Sequence, residues 1–322
     1  MKSLTLNVLL AIAVVALGLA GLLLGETQLT LDQLSEALRD PGSGPHEVVF
    51  DIRLPRTVAA LVVGAALGLA GAVMQGLLRN PLADPGILGV SGGAGLGAAL
   101  AISLGFAVVP GAIEVAALGA ALAVGLMLTW LAARFREPEI LILFGVALSA
   151  FLGAMTSLVF NFSPSPVALS EVFSWLLGSV ANRDWDDITR QLPAMGAGVL
   201  LCAYAARGLV MLTLGEEAAA MSGLPMTRLR AAAVAGASLL TGASVAMAGI
   251  VGFVGLAAPH LVRAATRGDP GRILLPSALA GADISARIIP TDIELKLGVV
   301  TALFGAPLFA LIAWRAARSW RG

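Results

Sequence analysis

Gly215-Glu216-Glu217-Ala218-Ala219-Ala220-Met221-Ser222-Gly223-Leu224-Pro225-Met226-Thr227-Arg228 is a short polar island inside the stretch Leu212 to Arg267. About thirty apolar residues follow it, Ala231 to Val262, broken by the glycines of Gly249-Ile250-Val251-Gly252-Phe253-Val254-Gly255-Leu256-Ala257-Ala258-Pro259-His260. Arg263 and Arg267 close the stretch. The island is long enough for one or two helical turns on either side of Gly223. A polar helix of that kind, held between two membrane segments, can sit against a soluble partner.

Composition sets the class. Of 322 residues 58% are hydrophobic and 12% charged, and the mean hydropathy is +0.92. Soluble domains have roughly 45–50% apolar and about 25% charged residues. A chain this apolar cannot hide its side chains inside a water-soluble globule. The fold class expected is an all-α polytopic membrane bundle forming one domain over residues 1–322, with a cytoplasmic coupling region at 212–230. Net charge is zero, which gives no electrostatic reason for nucleic-acid binding. The single cysteine, Cys202, excludes an internal disulfide and reads as a small buried hydrophobe. Ala and Gly are abundant. Gly64-x-x-x-Gly68 and Gly93-x-x-x-Gly97 read as sites where helix backbones approach closely in lipid.

Working outward from the island, about ten spans can be placed. Leu4 to Leu24 is uncharged and long enough to cross a hydrocarbon layer of about 30 Å. Val58 to Leu78 is the second span. Pro81 and Pro85 in Arg79-Asn80-Pro81-Leu82-Ala83-Asp84-Pro85-Gly86 then forbid a continuous helix. Leu88–Val108, Val115–Ala133, Ile140–Phe160 and Ile188–Ala206 follow as spans three to six. Ser170 to Leu177 reads as a short amphipathic helix after the fifth. The stretch from Leu212 supplies the seventh and a glycine-broken eighth, and Gly298 to Trp314 is the last.

With ten passes and both termini inside, thirteen of the 20 Lys and Arg residues fall in cytoplasmic segments, as the positive-inside rule requires. Two passes must then fit between Arg230 and Arg263, so one of them is short. The ninth span is the weak one. Its apolar run, Ile273 to Ala282, is only roughly 15 Å of helix before Asp283 and Arg287 intervene. Eight full spans plus a short hairpin is the alternative topology.

Three function classes can be weighed. ATP hydrolysis by a phosphate loop needs Gly-Lys-Ser/Thr, and neither Lys2 nor Lys296 follows a glycine. An ion-coupled secondary transporter places ionisable groups at mid-membrane, and Glu114, Arg207, Asp283 and Arg287 all lie near span ends. That class remains the alternative, because backbone carbonyls can bind sodium. An intramembrane enzyme needs clustered His, Cys or carboxylates, and the histidines are two, His46 and His260.

Four blocks, together with the polar island, carry a resemblance. They are Arg53-Leu54-Pro55-Arg56, Asn80-Pro81-Leu82-Ala83-Asp84-Pro85, Gly252-Phe253-Val254-Gly255-Leu256 with Pro259-His260, and Gly305-Ala306-Pro307. From Arg53 to Trp314 the chain resembles the permease family that imports iron-siderophores, haem and vitamin B12, powered by a separate ATP-binding-cassette subunit. The resemblance implies a non-enzymatic permease in the bacterial inner membrane, working as a homodimer or with a paralogous permease. It implies a cytoplasmic ATPase subunit that binds the ATP, a periplasmic binding protein, and no cofactor or metal of the chain's own.

Arg53 and Arg56 match family positions that meet acidic residues of the binding protein. Independently, two guanidinium groups at an outer span end can pair bidentately with carboxylates, or simply snorkel to the interface. Pro55 between them predicts a turn rather than helix at Leu54. Glu216, Glu217, Met221, Gly223, Leu224 and Arg228 match the coupling helices. The fifth span lines the pathway in the family, and here it offers Ser149, Met155, Thr156, Ser157 and Asn161. The Gly178–Trp185 stretch is closer to the siderophore members than to the B12 members. A ferric siderophore is therefore the expected cargo, with B12 or haem as the alternative.

Overall fold

The computed structural model describes residues 3–23, 28–135, 137–163, 165–266, 270–287 and 296–319. It is all-helical over these residues, and ten helices form a polytopic bundle, six of them long and apolar enough to cross a membrane. They are α1 (Ser3–Leu23), α2 (Leu54–Leu78), α3 (Val90–Ser103), α4 (Ala112–Arg134), α5 (Pro138–Asn161), α6 (Trp185–Leu212), α7 (Met226–Ala248), α8 (Val254–Thr266), α9 (Pro270–Arg287) and α10 (Leu297–Ser319). Short helices lie between them, including Leu31–Arg39, Pro166–Leu176 and Glu216–Met221.

The breaks fall where the local chemistry demands them. After α2 the chain turns at Arg79, which sits in the left-handed region at φ 49°. The two prolines keep residues 79–89 out of helix, and the Asn80 and Asp84 side chains fold the loop by accepting from Leu82 N–H (2.9 Å) and Gly86 N–H (2.7 Å). α3 stops at Ser103, earlier than the sequence suggested, because Gly105 and Gly111 turn the chain with positive φ. The Pro166–Leu176 helix starts four residues before the expected Ser170. Pro166 is pre-set for a first turn, and Ser165 Oγ accepts from Ala168 N–H. α6 begins at a capping box formed by Asp184 and Asp187. The short pass is α8, whose 13 residues span roughly 20 Å.

One expectation is corrected. Leu54 is helical (φ −65°, ψ −50°), so the Arg53–Arg56 pair lies on continuous helix and not on a turn. A π-helical segment, Glu47–Arg53, runs straight into α2, and Pro55 falls in α2's first turn, where its missing N–H costs nothing. The ninth segment keeps the short apolar stretch read from the sequence, and its helix runs on through Asp283 to Arg287, an 18-residue element roughly 27 Å long. Residues 288–295, where its far end would be judged, lie outside the described residues.

α2 and α7 form the centre, largely buried, while α1 lies at the periphery. Backbone touches backbone there. A Cβ at Gly68 would overlap the Ser277 carbonyl, and one at Gly281 would overlap that of Gly64. Gly93 and Gly97 meet Ala120 and Ala116 of α4 in the same manner. Both small-residue pairs picked out in the sequence are thus helix contacts, held by close dispersion where lipid supplies no hydrophobic drive.

Candidate functional site: a junction of sequence blocks between two helix ends

The blocks that stand apart in sequence meet in space. Gly71 of α2 rests on the backbone of Gly255, the second residue of α8, so closely that a Cβ would overlap the Gly255 carbonyl. Gln75, one turn further along α2 and buried, aims its Nε2 at the Gly255 carbonyl (3.5 Å) and accepts from Arg263 Nη2 through Oε1 (2.5 Å). Asp84 of the proline-broken loop lies against the Cα of the same Gly255. Its carboxyl faces the start of α8, where a helix favours negative charge. Burial pushes the Asp84 carboxyl above the ordinary carboxylate range, and the Gly86 N–H bond opposes that shift. Phe253 supplies the bend into α8 at φ 65°, an unusual angle for a non-glycine residue. The result is a rigid three-way contact of α2, α8 and the 79–89 loop.

At this same end the polar island leaves α6. Gly215 (φ 101°) opens the Glu216–Met221 helix, and Gly223 (φ 76°) turns the chain toward Pro225 and α7. Both glycines are open to solvent, so their positive φ, rather than crowding, requires glycine. Glu217, Gly223 and Arg228 are exposed, Met221 is 83% exposed, and Leu224 is half-buried. An apolar thioether is thus left uncovered among glycines and charges. Glu216 belongs to the helix by its backbone.

At the opposite end Arg53 and Arg56 differ. Arg53 is buried, at 8% exposure, and donates from Nη1 to the carbonyls of Leu22 (2.9 Å) and Leu23 (3.3 Å). It therefore satisfies the last carbonyls of α1. Arg56, one turn on, is half-buried. A second polar group at this end was not legible in the sequence. Arg183 bridges Glu114 (3.3 Å) and Asp187 (3.4 Å), tying α4 to the start of α6. No local signal pairs residues 69 positions apart. The link Gln75 makes between Gly255 and Arg263 was likewise not legible, although the Gly71–Gly76 run that holds it is distinctive.

α5 presents a largely uncovered face. Only Leu141, Gly145 and Leu152 of this helix are buried. Ser149 Oγ donates to the Ile87 carbonyl (2.5 Å), Thr156 Oγ1 to Leu152 O (2.9 Å), Ser157 Oγ to Gly153 O (3.0 Å), and Asn161 Nδ2 to Ser157 O (3.0 Å). These donors are spent on backbone, which leaves a weakly polar stripe with Met155 half-buried beside it. The Pro166–Leu176 helix folds against α3 and α5 through Val172 and the Phe160–Phe173 ring pair (centroids 4.8 Å apart). Among the described residues, no three His, Cys, Asp or Glu side chains group as a metal site.

Comparison with known proteins accords with this geometry. The model of the FecCD transport family matches residues 11–315. The vitamin B12 import system permease protein BtuC of Salmonella schwarzengrund (strain CVM19633) is 42% identical over 278 residues, covering 84% of each chain. BtuC of Shigella flexneri matches to the same extent. A solved structure, described as an inward-facing conformation of a metal-chelate type ABC transporter, superposes with a TM-score of 0.85 at 30% identity, covering 97% of this chain and 99% of that one. The chain belongs to the FecCD transport family and is an ABC importer permease.

Proposed function

We propose that this permease accepts a metal chelate from a periplasmic binding protein and passes it to the cytoplasm between two permease copies, driven by a separate ATPase subunit. The observation that carries the reading is the division of polar surface within the bundle. An exposed island with Met221, Glu217, Gly223 and Arg228 stands at one end, and a self-satisfied, weakly polar α5 face runs between the ends. The island, with Glu216 and Leu224, serves as the coupling contact for the ATPase. Ser149, Met155, Thr156, Ser157 and Asn161 line the pathway, where donors already bonded to backbone let a bulky ligand pass without sticking. Arg56 is the arginine that meets the binding protein, and Arg53 supports it by holding the end of α1. The setting is the bacterial inner membrane.

For the cargo, the extent of identity to B12 permeases favours a corrinoid. A ferric siderophore is the second reading, and the Gly178–Trp185 stretch is the feature that favours it. The test is uptake into proteoliposomes holding the permease and its ATPase subunit, with the cognate binding protein added outside. Cobalamin accumulation dependent on ATP is the expected result. Uptake of a ferric siderophore alone would move the chain to the second reading. Uptake driven by a proton or sodium gradient without ATP would refute both.

A further inference from the structure

We propose that a hollow among α2, α6, α8 and α9 is a binding site for the phosphate of an anionic phospholipid. It holds about 150 Å³ and is lined by Ala72, Gln75, Gly76, Arg79, Pro81, Thr213, Arg263 and Ile273. Among the described residues that line it, two are arginines and none is Asp or Glu. Arg79 follows α2 and Thr213 follows α6, and both are exposed, so the mouth lies at the level of the helix ends. That end is the one the basic residues place at the cytoplasmic headgroups. Arg263 reaches in from α8, fixed by its bond to Gln75 Oε1. Its Nε is buried and has no hydrogen-bond partner among the described residues.

The walls divide by chemistry. Arg79, Arg263 and Gln75 form the polar side, while Ala72, Gly76, Pro81 and Ile273 form the apolar side. Ala72 and Ile273 also belong to a small apolar cluster covered by Leu6 and Leu10 of α1, a helix at the periphery of the bundle. A headgroup phosphate can pair with the guanidinium groups while its glycerol end rests on the apolar wall. Basic pockets between membrane helices on the cytoplasmic side suit such lipids. A soluble partner would instead bring a carboxylate to the mouth. The apolar depth behind the arginines favours the lipid.

The test is native mass spectrometry of the purified full chain with phosphatidylglycerol or phosphatidylcholine of matched acyl chains, and with inorganic phosphate alone. Wild type should retain phosphatidylglycerol over phosphatidylcholine. Arg79→Gln and Arg263→Gln should each weaken that retention by about tenfold, the loss of one charge-assisted bond. Arg263→Lys should recover part of it, and Arg134→Gln, outside the hollow, should leave it unchanged. Arg79 is exposed, so its variant folds even if Arg263→Gln does not. Equal retention of the two lipids, or retention unaffected by Arg79→Gln, overturns the proposal. So does inorganic phosphate binding tightly while phosphatidylglycerol is not retained, which marks a free-anion site. Loss of ATPase-subunit co-purification in Arg79→Gln with lipid retention intact would make the hollow a protein contact and also overturns it.

Discussion

α2 and α5 are built from similar small and apolar residues, yet they do opposite things. In α2 the glycines are contacts: Gly68 meets Ser277 and Gly281, and Gly71 meets Gly255. In α5, Gly153 faces open space, and the hydroxyl-bearing positions cluster in the outer half. α1 supplies the control. It is as uncovered as α5, but after Asn7 it carries no polar side chain. Both faces are uncovered, and what sets α5 apart is its stripe of hydroxyl groups bonded to backbone. A glycine's meaning is set by whether another backbone lies across from it.

The comparison can be broken first at the glycines. Gly71→Leu and Gly281→Leu should each destabilise by about 3 kcal/mol or more, because backbone atoms cannot make room. Gly153→Leu on α5 should leave the yield of monodisperse protein near wild type. Fluorescence-detected size exclusion of the three variants is the check.

Next comes the junction. Gln75→Leu strips the acceptor from Arg263 and should cost about 1–3 kcal/mol, read as a lower thermal midpoint. Gln75→Leu with Arg263→Leu should recover part of the loss, since removing both partners leaves no charge uncompensated. A double variant no better than the single would show that Gln75 acts by shape alone.

The arginine pair gives a smaller, split effect. Arg53→Glu should lower stability by about 1.5–3 kcal/mol, because it releases the Leu22 and Leu23 carbonyls. Arg56→Glu should instead reduce ATP hydrolysis stimulated by the binding protein while basal hydrolysis persists. Equal stimulation of the Arg56 variant and wild type would remove that arginine from docking. Smallest of all, Thr156→Val and Ser157→Ala should shift stability by no more than about 0.5 kcal/mol, as their bonds run to their own helix. Thermal midpoints measure this.

Much of the bundle was legible because its signals are local. Pro81 and Pro85 announce the break after α2, and the two small-x-x-x-small pairs announce their contacts. The spacing between Arg230 and Arg263 announces one short pass, which is α8. What escaped depends on remote partners. Pro55 looked like a turn because the residue before proline resists helix, but a wide turn upstream carries the helix through it. Arg53 looked free because the carbonyls it caps lie some 30 residues away, on α1. Within the site, the exposed island was readable from its polarity, whereas the meeting of Gln75, Gly255, Asp84 and Arg263 needed three dimensions.

The assignment of α5 to a shared pathway is tested most directly by oxidative cross-linking in intact membranes. Phe151→Cys on α5 and Val15→Cys on α1 place thiols at similarly exposed positions, 60% and 62%, while the native Cys202 is buried. A covalent dimer from Phe151→Cys and monomer from Val15→Cys is the expected result. Cross-linking through Val15→Cys with none through Phe151→Cys would contradict it.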